Sequence, residues 1–557
     1  MFLLRESRGL AILAVLSGLI AGVGNSGLLA LINMQITNVG NSTKTLVWSY
    51  VGLCILTLAS RVVSELILTR LSLGTMFDLR MKLSKQILAA PLRHLEELRA
   101  HRLLATLTQD IPEVVNALIM IPMFCMYLTI IIACLAYLAW LSWIVFLGVV
   151  AFIIVAVASY QVSVVQAKRY QKLSREEWDS LFKHLRALTD GTKELKLHSG
   201  RRQAFLSQVL HSSMSALRRF LVLANNIYAV AAGWAHLLLF ILIGLVIFAI
   251  PSMRAVDARI LTGYTIIIIY MMAPMEFIIA NLPVLSRAGV AIGKIDELGF
   301  SLESSSKEAI IAPSAKAEIT WSSLKLVGIV HTYHVKQDNS SFTLGPIDLT
   351  FVPGERVFLV GGNGSGKTTL GKLITGLYVP EAGEVQFNGE PVTDANRDLY
   401  RQNFTAVFSD YFLFESLLGL YLPELDAQAR RYLEQLQLDH KVNINEGHLS
   451  TLDLSQGQRK RLAMLTAYLE NRNIYLFDEW ASDQDPMFKE IFYYQILPEL
   501  KARGKTVIVI SHDDRYYHVA DRIFKLENGK LAFQKDLAIA AATPTDIQAQ
   551  SIDLDIA

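Results

Sequence analysis

The stretch RVFLVGGNGSGKTTL, residues 356–370, decides the fold. An apolar run, RVFLV, ends in GGNGSGKT at 361–368, which satisfies the spacing G-x-x-x-x-G-K-[ST] and passes into a helix-compatible segment. In strand, loop, helix order, this spacing lets successive backbone N–H groups wrap a chain of phosphates. Gly361, Asn363, Gly364, Ser365, Gly366 and Thr369 are therefore expected around the phosphates of ATP. Lys367 is expected to reach the β and γ oxygens, and Thr368 to offer its hydroxyl to Mg²⁺.

Working outward, a second apolar run, IYLFDEWASDQDP at 474–486, ends in two adjacent carboxylates. A strand ending in Asp478 can present that carboxylate to the Mg²⁺ shell, and Glu479, one residue beyond, can polarise an attacking water as general base. Runs such as RVFLV, IYLFDE and TVIVIS, separated by helical stretches and turn residues, predict an α/β domain with a partly parallel sheet.

That domain occupies less than half of the 557 residues. The whole chain is 52% hydrophobic with a mean hydropathy of +0.36, too apolar for an ordinary soluble protein. Its net charge of +2 gives no footprint for a nucleic-acid partner. Six segments, 10–34, 46–68, 114–138, 143–165, 222–250 and 260–285, are long and apolar enough to cross a bilayer. The first is too long, and its flank lacks the small-residue cleavage pattern, for a removable signal peptide. Arg and Lys crowd the segments between the second and third spans and between the fourth and fifth, so these two long loops and both termini are expected in the cytosol. Cys54, Cys125 and Cys134 all lie in apolar runs and read as small hydrophobes. The expected organisation is a six-helix, all-α membrane domain at 1–300, a polar linker at 301–320, the nucleotide-binding domain at 321–536 and a tail at 537–557.

Between the two phosphate-site motifs lies LSQGQRKRL, 454–462, which resembles the L-S-G-G-Q signature of ABC transporter ATPases, with Gln456 at a position that is commonly Gly. VIVISHDD, 507–514, resembles the switch-histidine strand of that family. The resemblance implies that His512 approaches the γ-phosphate, that Tyr333 in HTYHV stacks on adenine with His331 and His334 as competitors, and that Asp485 helps to position an opposing site. It implies a type I exporter-like fold in which Ser455, Gly457 and Gln458 of one copy meet the nucleotide on the P-loop of a second, arranged head to tail. One membrane half and one ATPase half would thus work as a homodimer. Many relatives carry Gln where AVFSDYFLF places Ser409, so Ser409 is a weak metal-site candidate, with a water or Asp410 as substitutes. FSDYFLFESLLG, LSQGQRKRLAML, FDEWASDQDP and VIVISHDDRYYHVADR look like the bacterial cyclic-peptide and siderophore exporters of the pyoverdine and syringomycin kind. That likeness implies ATP-driven export of a peptide-type molecule across the bacterial inner membrane. A lipid or lipid-linked saccharide flippase, and a non-transporting ATP-gated channel or regulator, are the alternatives; intact Lys367, Glu479, Ser455 and His512 speak against the last.

Polar residues inside the spans should avoid lipid. Arg61 and Glu65, one helical turn apart, can pair. Asn25, Asn33, Asn225, Asn226, His236 and Glu276 either bond between helices or line a cavity. PLRHLEEL, 91–98, and HSGRRQAF, 198–205, match in position the short transverse helices through which exporters of this kind touch the ATPase.

Overall fold

The computed structural model describes residues 8–37, 44–98, 100–253, 258–305, 320–335, 340–420 and 424–537. Most of the expected linker and nearly all of the expected tail lie outside the described residues. The chain forms two compact units, one within Met1–Met81 and Ala105–Ile295, the other within Lys82–Leu104 and Asp296–Ala557.

Six helices are long and apolar enough to cross a membrane, and each expected span overlaps one of them with its ends inside or within two residues of that helix's ends. Five of these six helices run well past the bilayer: Lys44–Ala89, for example, has 46 residues, about 70 Å at 1.5 Å per residue against a hydrocarbon core of about 30 Å. The segments expected as loops between spans two and three, and between four and five, are thus largely continuous helix. Their polar residues take over as the helix leaves lipid for water, and the helix is interrupted only briefly among the described residues, at Ala90–Pro91, Gly191 and His198. Residues 82–104, which the sequence places with the membrane domain, fall in the second unit, where Leu92 packs on its core and Glu96 bonds Lys372.

A core of Ala21, Leu29, Met126, Ile130, Leu138, Tyr264, Ile267 and Met271 joins the spans, with Cys134 packed inside it as a small hydrophobe. Asn33 is buried and donates from Nδ2 to the Tyr137 hydroxyl at 2.9 Å, an inter-helix bond that satisfies a polar group in the lipid-facing unit. Arg61 and Glu65 share a cavity of about 90 Å³ with Ser64, Gly18 and Pro122; among the described residues no ion pair joins them. His236 and Glu276 line a larger, mostly apolar cavity of about 210 Å³ with Tyr160, Met271 and Met275. His198 caps the short helix Ser199–Ala204, its Nδ1 accepting from the Arg201 backbone at 3.1 Å.

The second unit is built on a six-stranded sheet: β1 Arg356–Val360, β2 Phe404–Val407, β3 Ile474–Asp478, β4 Thr506–Ile510, β5 Arg522–Glu527 and β6 Lys530–Asp536, in the order β6-β5-β1-β4-β3-β2. Strands β1 to β5 are parallel and β6 closes one edge antiparallel. Successive residues feed opposite cores. Phe358, Val360, Tyr475, Phe477 and Val509 enter one, and Val357, Leu359, Ile474, Leu476, Ile508 and Ile510 the other. A sheet covered on both faces reads as unbroken apolar runs, which is why these strands were legible in the sequence. A second, antiparallel sheet combines Leu324–Val335, Ser340–Phe351, Ala382–Phe387 and Glu390–Pro391.

Candidate functional site

The parallel register sets the site. Asp478 at the end of β3 lies opposite Ile510 at the end of β4, and β1 runs beside β4, so the loops leaving these strands meet at one edge. The loop after β1 turns through Gly361, whose φ of +145° and approach to the Leu526 carbonyl, 2.2 Å from where a Cβ would sit, exclude any side chain. The helix Lys367–Ile374 begins directly after this loop and directs its first N–H groups and dipole toward it.

Lys367 is buried and its Nζ donates to the carbonyls of Gly361 and Gly362 at 2.8 and 2.9 Å. Burial pulls its pKa down, and the carboxylates of Glu479 and Asp478 oppose that shift. The ammonium is thus held over the loop by carbonyls that an arriving phosphate can replace. Thr368 donates from Oγ1 to Asp478 Oδ2 at 2.9 Å. Asp478 is 1% exposed, and among the described residues its buried Oδ1 has no hydrogen-bond partner. Burial pushes this carboxyl above its usual range, opposed by the Thr368 hydroxyl and the Ser409 backbone. A hydroxyl beside a buried carboxylate with one free oxygen is an oxygen donor set that suits a hard cation such as Mg²⁺. Ser409 reaches this pair by its backbone, and its side chain is exposed.

Glu479 takes the left-handed conformation, φ +48° and ψ +34°, at a cost of roughly 1–2 kcal/mol for a residue with a Cβ. Its N–H donates to the Ile510 carbonyl at 3.0 Å, while its own carbonyl accepts from Lys460 Nζ at 2.8 Å and Ser482 Oγ at 2.7 Å. The turn therefore separates two adjacent acids: Asp478 is buried against Thr368 and Glu479, one-third exposed, lines a depression of about 290 Å³ with His512 and Ser511. His512 Nδ1 lies 3.8 Å from Glu479 Oε1, beyond hydrogen-bond reach and close enough for one bridging group.

Tyr333 sits on the antiparallel sheet, paired with Phe342, with its ring half-exposed. His331 is 1% exposed beneath Tyr378, ring centroids 5.0 Å apart, and burial lowers its pKa, so it is not available to a base arriving from solvent. The side chain of His334 lies outside the described residues. If Tyr333 carries the adenine, Tyr333→Ala should weaken ATP binding by about 5- to 10-fold, the loss of roughly 1 kcal/mol or more of stacking. Titration with a fluorescent ATP analogue checks this, and an unchanged affinity removes Tyr333 from the site.

Ser455 and Gln458 form a capping box on the helix Gln456–Glu470: Ser455 N–H donates to Gln458 Oε1 at 3.1 Å, and Gln458 N–H to Ser455 Oγ at 3.4 Å. The S-x-x-Q spacing carried this signal in the sequence. Among the described residues Ser455 makes no hydrogen bond to 361–369. Asp485 is likewise a cap, accepting from the Phe488 N–H at 2.9 Å, and it lies 3.5 Å from Arg461. Gly457 follows the cap, its carbonyl accepting from Gln484 Nε2 at 3.0 Å.

Two features went unread in the sequence. Lys460 is 3% exposed, although its spacing with buried Ala463, Met464 and Ala467 (i+3, i+4, i+7) marks the inner face of the helix. Glu96, on the short helix Leu92–Leu98, accepts from Lys372 Nζ at 2.9 Å and from the Tyr378 hydroxyl. Arg93 pairs with Glu381 at 2.6 Å, which holds the Glu381 carboxyl below its usual range, and Leu92 packs on the core of Leu370, Leu373 and Ile374. Lys372 lies on the helix that starts at Lys367, so Leu92–Leu98 is bonded to the element that begins at the phosphate loop.

Residues 9–275 match the family model of the ABC transporter transmembrane region and residues 344–482 that of the ABC transporter. The chain is 37% identical over 531 residues to the ATP-binding protein SyrD of Pseudomonas syringae pv. syringae, covering 93% of each chain. Partial likenesses include 29% identity over 293 residues to the pediocin PA-1 transport/processing ATP-binding protein PedD of Pediococcus acidilactici, 49% of this chain and 38% of that one. Another is 33% identity over 202 residues to an ATP-dependent lipid A-core flippase of Chromobacterium violaceum, 34% of each. In fold, it is similar to a bacterial Atm1-family ABC exporter with ATP bound, at a TM-score of 0.68 and 16% identity over 96% of each chain. The chain belongs to the ABC transporter family, as an exporter half-transporter in which a multi-pass membrane region is joined to an ATPase whose hydrolysis of ATP drives transport.

Proposed function

We propose that two copies of this chain form the working exporter and move a peptide-type natural product, a cyclic peptide or siderophore precursor, out across the bacterial inner membrane by alternating access. Both termini would then lie in the cytoplasm. The peptide reading is supported by the end-to-end likeness to SyrD, membrane half included, and by the partial likeness to PedD. The dimer reading is supported by the half-transporter organisation and by Ser455, which ends a helix N-terminus suited to phosphate and, among the described residues, bonds to nothing in its own phosphate loop, leaving it free to meet a nucleotide on a second copy.

In this reading Gly361, Asn363, Gly364, Ser365, Gly366, Lys367 and Thr369 hold the phosphates and Tyr333 the adenine. Thr368 and Asp478 would hold Mg²⁺, with Ser409 beside them. When bound, the ion neutralises charge on the β- and γ-phosphates. Glu479 takes the proton of the attacking water, and His512 faces the γ-phosphate across the depression they share. Ser455, Gly457 and Gln458 offer N–H and side-chain donors to the partner's nucleotide, and Asp485 sets the turn that faces it.

The cavity containing His236 and Glu276 is where a substrate would gain purchase: a lone carboxylate among apolar side chains favours an amphipathic molecule that carries a hydrogen-bond donor or cation. Glu276→Gln should raise the peptide concentration that half-stimulates the ATPase by about fivefold, the loss of roughly 1 kcal/mol of charge-assisted bonding. The function itself is tested in proteoliposomes, by ATP-dependent accumulation of cyclic peptides and by stimulation of ATPase activity. Stimulation by lipid and none by any peptide would overturn the peptide reading in favour of a flippase, and turnover without transport of either would overturn the exporter cycle.

A further inference from the structure

Lys460 puts an ammonium where the helix otherwise buries apolar side chains. Burying that charge is unfavourable unless each proton finds an acceptor. Three acceptors are present: the Glu479 carbonyl at 2.8 Å, Ser482 Oγ at 3.2 Å and Asp483 Oδ2 at 2.6 Å. The same Asp483 oxygen also accepts from Gln456 Nε2 at 3.1 Å. Trp480 Nε1 donates to the Lys460 carbonyl at 2.8 Å, and Gln484 Nε2 to the Gly457 carbonyl at 3.0 Å. At Gly457 a Cβ would stand 2.9 Å from the Asp483 carbonyl, so the turn 479–485 is seated flush on the start of the helix.

We propose that Lys460 is a positioning residue that ties the signature helix to Glu479, so that a phosphate docking at Ser455 is felt at the carboxylate that serves the chain's other nucleotide contact. This rests on the dimer and general-base readings above. Ser455 and Lys460 belong to one rigid helical segment, five residues apart. The ammonium grips the carbonyl of a residue in the left-handed conformation, whose side-chain direction depends on that backbone being held. Movement of the helix start toward or away from a partner's nucleotide therefore carries the Glu479 carbonyl with it. The two ATP sites of the dimer are mechanically joined, and hydrolysis at one depends on occupancy of the other.

The test uses the full chain in lipid nanodiscs, with ATPase rate followed against ATP concentration and binding followed with a fluorescent ATP analogue. Lys460→Met should lower kcat by about tenfold and turn a sigmoidal ATP dependence hyperbolic, while analogue affinity stays within about twofold. Lys460→Arg, which keeps the cation, should restore sigmoidality. Because a buried substitution can harm folding, Asp483→Asn at the 36% exposed end of the cluster is the second probe; it should lower kcat by about threefold and reduce sigmoidality in the same direction. The proposal is overturned if Asp483→Asn keeps both native kcat and native sigmoidality, or if Lys460→Met loses thermal stability and kcat together with sigmoidality intact. A native chain with hyperbolic ATP dependence, or a Glu479→Gln chain with native turnover, overturns the underlying dimer or general-base reading, and this inference with it.

Discussion

Glu479→Gln should hydrolyse ATP at least about 100-fold more slowly than the native chain, the range for loss of a general base, while still binding ATP. The amide has nearly the shape of the carboxylate, so the left-handed turn, the bond from its N–H to the Ile510 carbonyl and the grip of Lys460 on its own carbonyl all survive. What is lost is the ability to accept a proton. Asp478, Thr368 and Lys367 are untouched, so the phosphate site stays intact. With binding preserved and the reset step blocked, the variant should accumulate as a closed, ATP-loaded dimer, detectable by cross-linking near Ser455. Hydrolysis at the native rate would remove Glu479 from the role and leave His512, across the same depression, as the group to test.

Glu96→Arg should reduce transport by about 30-fold while ATPase activity falls no more than about threefold, within the range of a coupling free energy of roughly 1–3 kcal/mol. Glu96 collects two donors from the ATPase core, Lys372 on the helix that begins at Lys367 and the hydroxyl of Tyr378, and the Arg93–Glu381 pair secures the same short helix. Reversing the charge sets a guanidinium against Lys372 and Arg93, so the helix Leu92–Leu98 is repelled from the element it should follow. The phosphate loop has its own supports and keeps working. The spans lose their drive because Leu92–Leu98 follows, after Ala90 and Pro91, the long helix Lys44–Ala89 that contains the second span. Parallel measurement of transport and hydrolysis in proteoliposomes separates the two; equal losses in both would mean that Glu96 supports the fold and carries no motion.

The general architecture was legible from one dimension because its signals are local. Six apolar runs of bilayer length, a Gly-rich turn between strand and helix, and an acid pair closing an apolar strand each state their business within about twenty residues. The capping box at Ser455 and Gln458 and the cap at Asp485 were equally local and equally readable. Long polar helix extensions were harder, since polarity ends a membrane span without ending a helix.

What tertiary structure alone decided is which charges meet. Lys460 and Asp483 are 23 residues apart in number, and Glu96 and Lys372 are 276; no periodicity links either pair. Adjacency in the chain misleads as well: Asp478 and Glu479 look alike in sequence, and only the left-handed turn at Glu479 leaves one buried against Thr368 and sends the other toward water. Electrostatic roles depend on distance and burial, and both are set when separate strands and helices pack, whereas backbone motifs and apolar length are written by neighbours along the chain.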